Sequence, residues 1–257
     1  LSMQITEALL EELIKMVWEA SDAVLALYQG HCDYVTKFDG SPLTEADLAS
    51  HDIITRTLHT LTPDIPIISE ENADLEHLEW QNPQQFWLID PLDGTKEFIN
   101  YNGEFTINVA LIEEHQPVLG IVAAPALNLL YAGFKGGEAI KMDRHGNRQS
   151  IQVIQPAEEG LYVVGSRSHG DQKAMDAYLI NKKVAQFMAV GSSLKFCKIA
   201  EGNAHLYPRI GHTMEWDTAA GHTILTAAGG QVEALDGKPL VYGKKGFKNP
   251  FFVAKAL

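Results

Sequence analysis

Apolar residues at Ile5, Leu9, Leu13, Met16, Val17, Ala20, Val24 and Leu27 recur at intervals of three and four, which predicts an amphipathic helix from Ile5 to Leu27. A second helix is expected from Thr44 to Leu61. Two short apolar runs follow, Ile65 to Ile68 and Phe86 to Ile89 (FWLI), both suited to buried strands. Between Phe105 and Val153 the runs FTINVALI, VLGIVAA and LLYAGF are punctuated by EEHQP, PALN and KGG, so an antiparallel meander is expected. From Gly160 the pattern alternates: LYVVGS and AHLYPRI read as strands, and DQKAMDAYLINKK, SSLKFCKIAEG and WDTAAGHTILTAAGG as helices. The polar interruption QPAEEG divides an N-terminal α+β half, 3–155, from a C-terminal α/β half, 156–257. With no low-complexity linker and no internal repeat, the halves are expected to pack against each other.

At 257 residues and 46% hydrophobic content the chain can bury a sizeable core. No stretch reaches the roughly 18 consecutive apolar residues of a membrane span, and no secretory leader pattern opens the sequence, so a soluble intracellular protein is expected. Leu1 and Ser2, ahead of Met3, read as an expression remnant and are set aside. Cys32 and Cys197 have no paired spacing, which suggests buried thiols rather than a disulfide or a zinc site. A net charge of -13 argues against a nucleic-acid partner, and an acidic protein that handled phosphate would need metal ions.

Chemistry concentrates in the stretch IDPLDGTKEF, where two aspartates three apart follow the FWLI run. Pro91 denies a strand ladder its donor, and Asp93-Gly94 supplies a turn before the helix-like TKEFIN. Taken alone, Asp93 or Thr95 as a helix cap and Asp90 as a turn residue explain the stretch as well as a functional site does. Gly94 tilts the balance, because a residue without a side chain lets backbone N–H groups approach an anion at a helix start. Other acids have equally ordinary uses. Glu70 and Glu71 end the Ile65 to Ile68 run, Thr44 and Asp47 form a capping-box variant, and Asp217 can cap an alanine-rich helix with Trp216 in the core.

The joint arrangement changes their meaning. Glu70-Glu71, then Asp90-Pro91-Leu92-Asp93-Gly94-Thr95, then Trp216-Asp217 and Gly229-Gly230 eleven residues on, resembles the signature of the Mg2+-dependent, lithium-sensitive phosphatases of the inositol monophosphatase superfamily. Within it, SPLTEADLA, NGEFTINVALI, SRSH, GSSLKFCKIAEG, LYPR and WDTAAGH are similar to the bacterial 3'(2'),5'-bisphosphate nucleotidases of the CysQ type. Those enzymes remove the 3'-phosphate of adenosine 3',5'-bisphosphate, a by-product of sulfate activation, and leave AMP.

The resemblance implies an α-β-α-β-α layered sandwich with the site between its halves. It implies that Glu70, Asp90 and the Leu92 carbonyl hold one Mg2+, that Asp90, Asp93 and Asp217 hold a second, and that a third lies near Asp47. Thr95, backed by Asp47, would orient and deprotonate the attacking water, with Glu70 assisting from the metal side. Glu70, Leu92, Asp93, Gly94, Thr95 and Asp217 would meet the scissile phosphate. Ser166, His169, Ser193, Lys195 and Arg209 would form the nucleotide pocket, Lys195 and Arg209 supplying cations for a second phosphate. Glu215 keeps an inositol or sugar phosphatase as the alternative, since an acid near this position contacts inositol hydroxyls in that branch. A non-catalytic nucleotide-binding relative is disfavoured because every signature acid and Thr95 are present. The implied partner is a nucleotide bisphosphate and the implied compartment the cytoplasm, with weak attachment to the inner face of the membrane as in relatives. Walker-A, zincin, nucleophile-elbow and dinucleotide fingerprints are all missing from the sequence.

Overall fold

The computed structural model describes residues 3–28, 34–37, 42–72, 81–167 and 170–257. Helices α1 (Glu7–Tyr28) and α2 (Glu45–Leu61) form the first layer, with a short antiparallel strand pair, β1 (Tyr34–Thr36) and β2 (Pro42–Thr44), leading into α2. The second layer is a seven-stranded sheet in chain order: β3 (Ile67–Ser69), β4 (Gln85–Asp93), β5 (Thr106–Glu113), β6 (Gln116–Ala124), β7 (Leu129–Phe134), β8 (Ala139–Met142) and β9 (Arg148–Ile151). Only β3 and β4 are parallel, and the remainder is the expected meander. The one-turn helix α3 (Thr95–Ile99) leaves the end of β4.

A five-stranded mixed sheet follows, built from β10 (Leu161–Gly165), β11 (Val184–Ala189), β12 (Leu206–Arg209), β13 (Gln231–Ala234) and β14 (Phe252–Lys255) in the order β11-β10-β12-β14-β13. Helix α4 (Gln172–Leu179) covers its outer face, where Tyr178 and Leu179 pack on Val163, Leu206 and Val253. Helices α5 (Leu194–Ala200) and α6 (Glu215–Ala227) lie between the sheets, giving the α-β-α-β-α sandwich.

The continuous apolar runs are explained by burial on both sides. Trp87, Ile89, Ile107, Val109 and Ile121 pack toward α1 and α2, whereas Phe86, Leu88, Ala110, Ile112 and Val122 pack toward α6. Close approach of α6 depends on Gly120 of β6, where a Cβ would sit 2.4 Å from the Ala220 carbonyl oxygen. Strand β11 departs from expectation: the helix predicted over DQKAMDAYLINKK stops at Leu179, and the next strand shows no alternation because it is a largely exposed sheet edge. Strands β13 and β14, beyond the last helix, also have no counterpart in the sequence-based expectation. Among the described residues no helix is long and apolar enough to cross a membrane.

Candidate active site

Strand β4 runs through to Asp93 rather than ending at Ile89. Alternation along it places Asp90 on the α6 side with Phe86 and Leu88, and would place Asp93, three residues on, on the opposite face. A β-bulge prevents this. Asp90 pairs with Asn108 and Asp93 with Thr106, so three steps on β4 match two on β5 and both aspartates return to the same face. Pro91 suits the bulge because it has no N–H to leave unpaired. Its carbonyl accepts from the Ser50 hydroxyl at 2.7 Å, and the Leu92 N–H donates to Asp90 Oδ1 at 3.3 Å. Gly94 then turns the chain into α3 at φ 83°, where a Cβ would lie 2.2 Å from the Ser192 hydroxyl oxygen.

The two acids borne on helices use one device. Asp47 is the third residue of α2 and Asp217 the third of α6, and each folds back on its helix start. Asp47 Oδ2 accepts from the Thr44 N–H at 2.9 Å and its hydroxyl at 2.5 Å, which is the expected capping box. Asp217 Oδ2 accepts from the Met214 N–H at 2.8 Å. The sequence offered Asp217 as the N-cap; the cap is instead Met214, and Asp217, at the third position, reaches back to the Met214 N–H. Capping occupies one oxygen of each carboxylate. The Thr95 hydroxyl donates to the other Asp47 oxygen, Oδ1, at 3.3 Å, while ligand oxygens of Asp217, Asp90 and Asp93 lie within 4.8 Å of one another.

Glu70 follows β3, its N–H extending the parallel ladder to the Ile89 carbonyl at 3.1 Å. It lines the same cleft as Asp90, Asp93 and Asp217 but lies outside the group of three whose ligand oxygens come within 4.8 Å of one another. Burial pushes the Glu70, Asp90 and Asp93 carboxyls above the usual range, and mutual repulsion with Asp217 adds to the rise. Glu71 turns the other way and pairs with Lys37 at 2.7 Å, Lys37 Nζ lying 3.6 Å from Glu70. Burial opposes the charge on Lys37, but the Glu70 and Glu71 carboxylates outweigh it and push that ammonium up to about 12. Asp47 is raised by burial, against the Thr44 hydrogen bonds, to about 6. An all-oxygen donor set, with Asp90 buried and its neighbours partly buried and mutually repulsive, is the environment a hard divalent cation relieves.

A cleft of about 280 Å³ runs from these acids to Lys195 and Arg209, with Ser166 and Leu92 to Thr95 also on its walls. Lys195 is buried in α5, its Nζ 3.1 Å from the Val190 carbonyl oxygen and 5.3 Å from the Tyr207 ring centroid. Burial and the Arg209 charge pull its ammonium down to about 8, against Asp93, Glu97 and Glu104. Arg209 ends β12 and donates through Nη2 to the His212 carbonyl at 3.1 Å, while its buried Nε has no partner among the described residues. Ser193 also lines the cleft, but its side chain serves the scaffold. Its N–H donates to Asp93 Oδ2 at 3.0 Å and its hydroxyl to Asn108 Oδ1 at 2.5 Å. The neighbouring Ser192, missed in the sequence, lines the cleft at φ 55° and donates to the Asp93 carbonyl at 3.0 Å. His169 and Cys32 lie outside the described residues.

Residues 6–250 match the inositol monophosphatase family. The chain belongs to this family. It is 47% identical over 247 residues to the 3'(2'),5'-bisphosphate nucleotidase CysQ of Escherichia coli, spanning 95% of this chain and 98% of that protein. Identity to the CysQ of Salmonella typhimurium is 48% over 247 residues, with the same 95% and 98% spans. The fold matches the crystal structure of CysQ from Bacteroides thetaiotaomicron, a bacterial member of the inositol monophosphatase family, with a TM-score of 0.80 at 34% identity over 95% of this chain and 96% of that one.

Divalent-metal dependence is usual in the inositol monophosphatase family, and the acidic cluster supplies fitting donors. Glu215, the residue that kept an inositol substrate in view, faces away from the cleft. It is fully buried, accepts from the Gly243 and Lys244 N–H groups at 2.6 and 3.1 Å, and pairs with Lys244 Nζ at 2.8 Å.

Proposed function

We propose that the protein is a Mg2+-dependent 3'(2'),5'-bisphosphate nucleotidase that removes the 3'-phosphate of adenosine 3',5'-bisphosphate to give AMP and phosphate. The observation that carries the reading is the convergence of Asp90, Asp93 and Asp217 within 4.8 Å beside the Thr95–Asp47 hydrogen bond. The nucleotidase relatives, matched along nearly their whole length, supply the substrate class. In this reading the 3–155 half contributes Asp47, Glu70, Asp90, Leu92, Asp93 and Thr95, and the 156–257 half contributes Asp217 and the nucleotide pocket.

Glu70, Asp90, the Leu92 carbonyl, Asp93 and Asp217 would hold two Mg2+, with a third near Asp47, and bound Mg2+ would neutralise phosphate charge and acidify a coordinated water. The chain's own residues handle the proton. Thr95 Oγ1 donates to Asp47 Oδ1 and so can accept a proton from the attacking water as its own passes to Asp47. Held by burial to about 6, Asp47 is matched to general-base work near neutrality. The second Asp47 oxygen is tied to Thr44, so the carboxylate cannot rotate away. Backbone N–H groups at Gly94 and Thr95 would cradle the scissile phosphate, and Lys195 and Arg209 would face the remainder of the nucleotide.

The test is a phosphate-release panel with and without Mg2+. Adenosine 3',5'-bisphosphate is expected to give the highest kcat/KM, above inositol 1-phosphate and fructose 1,6-bisphosphate, with release abolished by chelator and by Asp90→Asn. A preference for inositol 1-phosphate would replace the nucleotidase reading with the inositol one.

A further inference from the structure

A smaller pocket of about 190 Å³ opens beside the cleft and shares Ser166 and Arg209 with it, with Arg167, Met175 and Phe187 among its other walls. A substrate that sets one phosphate against the acids therefore has room here for its far end. Arg209 is built for an acceptor at this point: the residue is only 8% exposed, yet its Nε has no partner among the described residues. Buried donors are rarely left unpaired, so a ligand oxygen is the natural complement.

Arg167 borders the same pocket under strong constraint. Its Nη2 donates to Glu104 Oε1 and Oε2 at 2.9 and 3.0 Å and to the Ala189 carbonyl at 3.2 Å, and its Nε reaches Glu104 Oε2 at 3.3 Å. Glu104 is in turn fixed by the Gly191 N–H at 2.7 Å, where a Cβ on Gly191 would come within 2.9 Å of the Glu104 Cβ. Nη1 has no partner among the described residues. Glu104 offsets part of the guanidinium charge but fixes its plane, so little side-chain freedom is lost when an anion arrives. Two guanidinium groups and one carboxylate line this small pocket; Asp171 Oδ1 is engaged by the Lys173 and Ala174 N–H groups at 3.0 and 3.2 Å at the start of α4, so the two cations outweigh it and match an anionic ligand group.

We propose that Arg167 is a specificity-determining residue that, with Arg209, receives the non-scissile phosphate of a bisphosphorylated nucleotide, Glu104 acting as its positioning residue. This rests on the nucleotidase reading and extends it. The experiment is steady-state kinetics of the full chain in Mg2+, comparing wild type, Arg167→Ala and Arg167→Lys on adenosine 3',5'-bisphosphate and on 3'-AMP, which lacks the second phosphate. Arg167→Ala is expected to raise KM for the bisphosphate roughly tenfold, the size of one lost charge-assisted hydrogen bond, with kcat and the KM for 3'-AMP within about twofold of wild type. Arg167→Lys should recover part of the loss. An equal rise on both substrates would make Arg167 a base, ribose or fold-supporting residue and overturn the proposal, as would no change on either. Wild-type protein that hydrolyses 3'-AMP but not the bisphosphate would remove the nucleotidase reading and this inference with it; bisphosphate turnover with an unchanged KM ratio would remove the inference alone.

Discussion

Lys195 and Asp47 give the site opposite limits in pH. Asp47, with its carboxyl raised to about 6, is protonated and unable to take a proton from Thr95 below that value. Lys195, pulled down to about 8, loses its charge above it. Turnover should therefore fall as pH drops through about 6, and KM for the bisphosphate should rise as pH climbs through about 8. Lys195→Arg, which keeps its charge throughout, should remove the alkaline rise in KM; a rise that persisted in that variant would separate Lys195 from substrate binding. Single residues also mark where the sequence stops being informative. Thr95, Asp47 and the clustered acids were singled out by the joint spacing that resembles the family signature, since each alone reads equally well as a cap or turn residue. The turning away of Glu215 was not legible, because the expected helix began at Trp216; α6 in fact starts at Glu215, so two residues amount to about 200° of rotation and set Glu215 and Asp217 on opposite sides. Nor could the sequence separate Ser192 from Ser193: both line the cleft, and the left-handed backbone at Ser192 is not visible in local pattern.

At the scale of elements, the β4–α3 junction does most to build the site. A bulge converts a three-residue spacing into a two-residue one, and a left-handed glycine then starts α3 directly against the Ser192 turn. Proline followed by Asp-Gly announced a break in the ladder, but the reunion of both aspartates on one face depends on pairing with β5, which lies beyond α3 in the chain and is invisible to local pattern. Gly94→Ala should expose both constraints, losing about 1–3 kcal/mol for a non-glycine residue in the left-handed region and more for the contact with Ser192. Gly136 is the control: it has φ 84° but nothing within 4 Å of the point a Cβ would occupy, so Gly136→Ala carries the backbone cost alone. Thermal melts should place Gly94→Ala well below Gly136→Ala, and only the former should lose turnover. Equal melting temperatures would mean that the Ser192 turn moves aside and does not hold Gly94 in place.

Across the whole molecule, acids from β4, from α6 and from the residue after β3 meet between layers that pack into one body, so charge at the site is coupled to folding. A carboxyl whose folded pKa lies above its unfolded value contributes stability that is present below the unfolded value and lost as pH rises through the folded one. Asp47 is raised from 3.8 to about 6, so the metal-free protein should lose stability as pH rises from about 4 through about 6, and Asp90 and Asp93, raised as well, add to the loss. For Asp47 alone the rise from 3.8 to about 6 corresponds to roughly 3 kcal/mol. Mg2+ should reverse the loss, because binding only the folded state stabilises it by about 2.7 kcal/mol at a hundredfold excess over Kd. Protons compete for the same oxygens, so the Mg2+-induced rise in Tm should be larger at the higher pH. Asp217→Asn should shrink that rise and, by relieving repulsion on Asp90 and Asp93, lift the Tm of the metal-free protein at neutral pH. The measurement is a set of melts in chelator and in Mg2+ at acid and at neutral pH for wild type and Asp217→Asn. A Mg2+ response that is independent of pH and unchanged in the variant would place the cation somewhere other than this cluster.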